Sequence, residues 1–195
     1  MSMFDDSRYC WRETYLVMLD RLRRPMMSEM VQRLQKMNER LKITVARGNV
    51  NGLFEFLIVV APNDNAAVEI QFHEGDEVAQ EFSSLADELE RHELSVKERK
   101  KIARARKFSA KIELLHFEQI LETPATKRNF PTKLSFPRYS HFIQNLTQEM
   151  KTPEDEPDEF DLAERLDPNT LIRILRLVTQ LTEGIAFDPA GGVVV

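Results

Sequence analysis

This chain of 195 residues is 42% hydrophobic and 30% charged, which suits one globular domain with a sizeable core, and its net charge of −5 does not favour nucleic acid as a partner. Its single cysteine, Cys10, excludes an intramolecular disulfide and favours a reducing compartment. The apolar run Leu57–Ala61 is too short to cross a bilayer, and the opening Met-Ser-Met-Phe-Asp-Asp carries acid where a secretory signal carries base. We therefore predict a cytoplasmic protein without a membrane segment.

The first 75 residues predict a β-α-β-β-β order. Apolar residues recur every three or four positions between Met26 and Leu41, which is typical of an amphipathic helix. Leu53–Ala61 is apolar on both faces and therefore predicts a strand in the middle of a sheet. The other predicted strands are Glu13–Asp20, a half-buried strand around Ile43 and Val45, and Val68–His73, with turns at Gly48–Gly52 and Pro62–Asn65.

The middle of the chain predicts two more helices and a fifth strand. Gly75–Glu93 has apolar residues at helical spacing. Ser95 and Glu98 match the S-x-x-E pattern of a capping box, so we expect a helix from Ser95 to about Arg106. Phe108–Glu118 alternates apolar and polar residues, which favours a strand.

Residues 122–166 differ from the rest because they are rich in proline and acid. Proline interrupts regular elements, so we expect only one short helix there, at about Ser140–Met150. We interpret this stretch as a partly flexible insertion within a single domain of residues 1–195.

Regular structure is predicted again from Asp167 and Pro168, a typical start of a helix. The apolar stripe Leu171–Leu181 continues this helix, and Gly184 occupies the position expected for a C′ glycine. Ile185–Val195 then predicts a closing hairpin.

These elements predict an α+β fold with a mostly antiparallel sheet of about five to seven strands. We expect the helices to pack chiefly on one face of the sheet. A ferredoxin-like core with additions is the arrangement that fits the β-α-β-β-β start best.

Three short segments, 10–15 (C-W-R-E-T-Y), 115–119 (L-H-F-E-Q) and 181–192 (L-T-E-G-I-A-F-D-P-A-G-G), resemble parts of uncharacterised bacterial α+β proteins. Those proteins end in a helix, a glycine and a strand that carries Asp-Pro. The resemblance covers about a fifth of the chain and supports the α+β fold. It implies no activity and no functional residue.

Histidines are the first candidates for chemistry, because imidazole is the usual acid–base group and metal ligand near neutral pH. His73, His116 and Glu118 lie near the ends of two predicted strands, and alternation places His116 and Glu118 on one face. They are candidate catalytic residues of a hydrolase or metal enzyme, although each histidine can equally be a hydrogen-bonded residue at the edge of the core. No close pair of metal ligands strengthens this hypothesis, so we predict no metal site. No glycine-rich phosphate-binding motif occurs, and we predict no cofactor.

A basic block at 97–107 is the strongest local feature. Residues 95–151 carry 13 bases and 5 acids, whereas the segments before and after them are acidic. The candidate anion-binding residues share one side of the predicted helix: Lys97, Lys100, Lys101, Arg104 and Lys107. Alternatively, the block is a solvated helix face that pairs with the acids of residues 154–161.

The leading functional hypothesis is a non-catalytic protein-interaction or regulatory domain that binds a protein partner or a second copy of itself. The first alternative is an anion- or nucleic-acid-binding protein that uses residues 97–107, with nucleic acid the less favoured ligand. The second is a small hydrolase or metal enzyme that uses His73, His116 and Glu118.

Overall fold

A computed structural model describes residues 2–38, 40–91, 94–120 and 169–195 of the chain. The predicted helix at Ser140–Met150, the helix start at Asp167 and Pro168 and the insertion at 122–166 lie outside these residues. The described segments before and after the gap at 121–168 fold together as one unit. The described strands are β1 Tyr9–Leu19, β2 Lys42–Gly48, β3 Phe54–Ala61, β4 Ala66–Glu74, β5 Ala110–Gln119, β6 Ile185–Asp188 and β7 Val193–Val194; the helices are α1 Met27–Met37, α2 Asp76–Leu89, α3 Val96–Ala105 and α4 Asn169–Thr182.

All the described strands join one antiparallel sheet, in the order β2-β3-β4-β5-β1-β6-β7. The predicted α+β fold is confirmed, and so is the interior position of the apolar strand β3. The ferredoxin-like core is not confirmed and stays a prediction. β1 pairs with β5 along almost its whole length but with β6 only over Leu16–Met18.

Helices cover both faces of the sheet, so the prediction that they pack chiefly on one face is wrong. Val17 and Leu19 of β1 lie in the same apolar cluster as residues of α1 and α4. Leu16 and Met18, which alternate with them, lie in a second cluster with residues of α2 and α3. Because successive strand residues point to opposite faces, the sheet has an α1/α4 face and an α2/α3 face.

Helix α3 begins at the predicted capping box. The backbone N–H of Glu98 donates to Ser95 Oγ (3.3 Å), and the backbone N–H of Ser95 donates to Glu98 Oε2 (2.7 Å). The hydrogen bonds from Ser95 also lower the pKa of the Glu98 carboxyl. The one acid of this helix therefore caps its first turn.

The end of α4 differs from the prediction. Glu183, not Gly184, adopts the left-handed conformation after the helix (φ 50°). Gly184 is required for a different reason: a Cβ atom there would lie 2.6 Å from Val17 Cγ1 and 2.8 Å from the carbonyl oxygen of Met18. The glycine thus allows the chain to pass close to β1 before β6 begins.

We predict that Gly184→Ala destabilises the fold by about 1–3 kcal/mol, because the added methyl group overlaps atoms of β1. Glu183→Gly is the matched control, and it should leave stability unchanged or raise it by up to about 1 kcal/mol, since glycine suits a positive φ. Urea unfolding of both variants measures the difference. An equal loss of stability in the two variants would contradict this account of the turn.

Candidate functional site

His73 and His116 do not come together. His116 of β5 is paired with Val68, which lies five residues from His73 along β4. At about 3.3 Å per residue this separation is about 16 Å. The two side chains also lie on opposite faces, because Val68 belongs to the α1/α4 face and His73 alternates with it. The predicted site that combines His73, His116 and Glu118 therefore does not form.

His116 and Glu118 lie on the α1/α4 face, but each has a partner of its own. His116 is 7% exposed, and its Nδ1 lies 3.0 Å from Glu13 Oε1. Glu118 forms an ion pair with Arg12. Burial raises the pKa of Tyr15, and the neighbouring carboxylate of Glu13 raises it further. These contacts join β1 to β5.

Metal binding gains no support in the part of the chain that the structure describes. Within residues 2–38, 40–91, 94–120 and 169–195 there is no group of three or more histidine, cysteine, aspartate or glutamate side chains that could hold a metal ion. Cys10 is exposed and is not part of a disulfide.

A row of charged residues crosses the α2/α3 face, and the sequence analysis did not identify it. Lys111 is buried, and its Nζ lies 2.7 Å from both Glu113 Oε1 and Glu81 Oε2. His73 Nε2 lies 3.5 Å from Glu113 Oε2, without the alignment of a hydrogen bond. Burial acts to raise the pKa of Glu113, but His73 and Lys111 outweigh it and lower that pKa to about 2.

Glu69 is the fully buried acid of the same face. Its carboxylate accepts hydrogen bonds from Ser2 Oγ (3.0 Å), from the backbone N–H of Met3 (2.6 Å) and from Gln71 Nε2. Glu69 therefore fixes the first residues of the chain on the sheet. Sequence alternation alone does not identify this carboxylate as buried, because its cover comes from Ser2 and Met3, far away along the chain.

The candidate anion-binding residues form one exposed surface on α3. Ile102 and Ala105 are 0% exposed and anchor the helix in the apolar cluster of the α2/α3 face. Lys101 Nζ donates to the carbonyl oxygen of Val195 (3.3 Å), and Arg104 Nη2 donates to that of Glu183 (3.2 Å). The α3 cation surface, as we call it, consists of the predicted residues Lys97, Lys100, Lys101, Arg104 and Lys107.

Three lysines of this surface form no ion pair with an acid of the described residues. No carboxylate of the described residues lies within ion-pair distance of Lys97, Lys100 or Lys107, and all three side chains are exposed. By contrast, Arg106 on the other flank of the helix pairs with Asp87 (2.6 Å) and Glu90 (3.3 Å), both close to the end of α2. The acids at 154–161 lie outside the described residues, so their predicted pairing with α3 stays a prediction.

Comparison with known proteins does not assign a function. No family model matches the chain, and neither a curated protein nor a solved structure matches it. The resemblance to uncharacterised bacterial α+β proteins therefore stays a prediction. Among the described helices, none has the length and apolar character that a membrane span requires.

We predict that Glu113 contributes to acid sensitivity. The pKa of its carboxyl is lowered from 4.5 to about 2. The ionised carboxylate therefore contributes fully to the free energy of unfolding above pH 4.5, and this contribution is lost as the pH falls towards 2. The contribution is at most about 3 kcal/mol, and Glu113→Gln should remove it and flatten the fall of unfolding free energy with acid. Urea titrations across this pH range measure the effect.

Asp6→Asn is the control for this experiment. Hydrogen bonds from Arg8 lower the pKa of Asp6 to about 2 as well, but the side chain of Arg8 is 72% exposed. Solvent screens such a pair, so the control should change the acid profile much less. An unchanged profile in Glu113→Gln would show that the charged row does not stabilise the fold in this way.

Proposed function

We propose that this chain is a non-catalytic protein-interaction domain that works in the cytoplasm and holds an acidic segment of a partner protein on the α3 cation surface. The observation that carries the proposal is the set of exposed lysines that have no ion-pair partner among the described residues, next to a helix that Ile102 and Ala105 anchor in the core. Such a helix is a fixed support that presents positive charge to solvent. The single exposed cysteine, Cys10, agrees with a reducing compartment.

The spacing of the cations supports a binding role. Lys97 and Lys101, and likewise Lys100 and Arg104, are four residues apart on one helix. Like charges at this spacing repel each other and destabilise an isolated helix by a few tenths of a kcal/mol per pair. This local repulsion does nothing for folding, and an acidic ligand relieves it. Conflicts of this kind are most often found at functional sites.

The neighbouring charges favour a short acidic peptide over a nucleic acid. Helix α2 packs beside α3 and carries Asp87, Glu88 and Glu90 near its end. A long phosphate backbone that followed the α3 cation surface would be repelled by these acids and by the net charge of −5. Bases in single-stranded nucleic acid also need aromatic stacking partners, and Phe108, the aromatic residue next to α3, lies under Arg104.

The acid–base residues of the described part agree with a non-catalytic role. The ring of His116 is hydrogen-bonded to Glu13, and the charge of Lys111 is neutralised by the carboxylates of Glu81 and Glu113. Neither cluster joins a nucleophile to a base, which is the arrangement that nucleophilic catalysis requires.

The direct test is the binding of a short fluorescein-labelled oligoglutamate, followed by fluorescence anisotropy at low salt. We expect binding that weakens as salt is raised, because exposed charge pairs are screened. The triple variant Lys97→Glu, Lys100→Glu and Lys107→Glu should weaken binding about threefold to a hundredfold, since each exposed pair contributes about 0.2–1 kcal/mol.

A matched triple variant controls for net charge. Arg21→Glu, Arg40→Glu and Lys42→Glu change the total charge by the same amount at exposed positions outside α3, and this variant should bind nearly as well as the parent chain. Equal losses in the two triple variants, or no binding by the parent, would refute the role of α3. If single-stranded DNA of the same charge binds more tightly than oligoglutamate, the partner inferred for α3 would be a nucleic acid and not a protein.

A further inference from the structure

Among the described strands, the last one of the sheet, β7, has an edge without a neighbouring strand, which we call the open edge. In the order of the described strands, β7 follows β6 and has no strand on its other side. The backbone N–H of Val195 donates to the carbonyl oxygen of Ala186 in β6 (3.0 Å). Because neighbouring residues of a strand direct their backbone groups to opposite sides, the N–H and C=O of Val194 point to the open side. This edge can accept another extended chain.

A contact of Lys101 places the α3 cation surface near the end of β7. Lys101 reaches the carbonyl oxygen of Val195, and Lys97 is one helical turn earlier on the same flank. Val194 packs against the cluster that holds Ile102 of α3, so its side chain points to the α2/α3 face. A side chain on that face of an added strand would therefore lie next to these lysines.

The opposite face of the edge is apolar. Val193 and Val195 alternate with Val194, and their side chains are 47% and 48% exposed. Valine side chains on adjacent strands stabilise a sheet by direct cross-strand contact. An added strand would bind most tightly if its residues on this face were apolar and its residues on the α2/α3 face were acidic.

We propose that the partner segment binds as an extended strand on the open edge of β7, with alternating acidic and β-branched residues. Its acids face Lys97 and Lys101, and its apolar side chains cover Val193 and Val195. The backbone of Val194 supplies the first hydrogen bonds of the new strand pair. This inference rests on the proposed function and adds the conformation and the sequence pattern of the ligand.

The test uses an alternating peptide, acetyl-Asp-Val-Glu-Val-Asp-Val-Glu-Val-amide, and two isomers of it with methylated backbone nitrogens. One isomer carries the methyl groups on the valines and the other carries them on the acids. The two isomers have the same charge and mass, but their remaining N–H groups lie on opposite edges of an extended strand. The added strand is proposed to run antiparallel to β7, as in every described strand pair of this sheet. In that direction only one of these edges can face β7 while the acids face α3.

Strand addition predicts that one isomer loses about tenfold or more in affinity, whereas the other binds like the unmethylated peptide. Equal affinity of both isomers would overturn the strand model and leave the α3 interaction in place. If none of the three peptides binds while oligoglutamate does, the strand model alone is overturned; if oligoglutamate does not bind either, the proposed function is overturned as well. The two failures are thus distinguishable.

A protein variant gives a second, independent measurement. Val194→Pro removes the N–H on the open side, and proline is tolerated on edge strands; Val194→Ala shortens the side chain but keeps the N–H. We expect the proline variant to lose about tenfold more affinity for the alternating peptide than the alanine variant. In the parent chain, bound peptide should slow hydrogen exchange of the Val194 amide, and an unprotected amide at saturation would contradict the inference.

Discussion

The fold depends on the burial of one central strand on both of its faces. Over Leu16–Leu19, β1 places alternate side chains in two separate apolar clusters, so neither face of this segment can be left to solvent. Each cluster is completed by a pair of helices, α1 with α4 on one face and α2 with α3 on the other. The close approach of Gly184 to Val17 also keeps β6 against this segment of β1, because a larger residue at position 184 would push β6 away from β1.

This constraint determines where α3 can present its charges. Ile102 and Ala105 must face the sheet to complete the α2/α3 cluster, so the remaining positions of this short helix turn outward or sideways. Arg106 then meets the acids of α2, whereas Lys97 and Lys101 lie on the flank near β7. The packing of α3 on the sheet thus gives Arg106 a role in joining two helices, whereas Lys97, Lys100 and Lys107 form no ion pair within the described residues.

The helices and strands could be predicted from patterns in neighbouring residues. Most errors concern contacts between residues that are distant along the chain. Periodicity located the described strands and helices, and the Ser95–Glu98 capping box located the start of α3. The run Leu16–Leu19 also signals a strand buried on both faces, and it could have predicted helices on both sides of the sheet. The separation of His73 from His116 could not be predicted, because it depends on which residue of β4 each residue of β5 pairs with.

Lys111 and the lysines of α3 show why residue type alone does not reveal a site. Lys111 is buried, so its charge must be neutralised within the fold; burial acts to lower its pKa, but Glu113 and Glu81 outweigh this effect and raise it. Lys100 is exposed and keeps its charge in water at little cost, so nothing in folding requires a partner for it. The two carboxylates beside a buried lysine are explained by the need to neutralise its charge in the folded protein, whereas folding does not explain an exposed group of like charges. An exposed group of like charges is therefore the better indication of a ligand-binding site, and its positive sign indicates an acidic ligand.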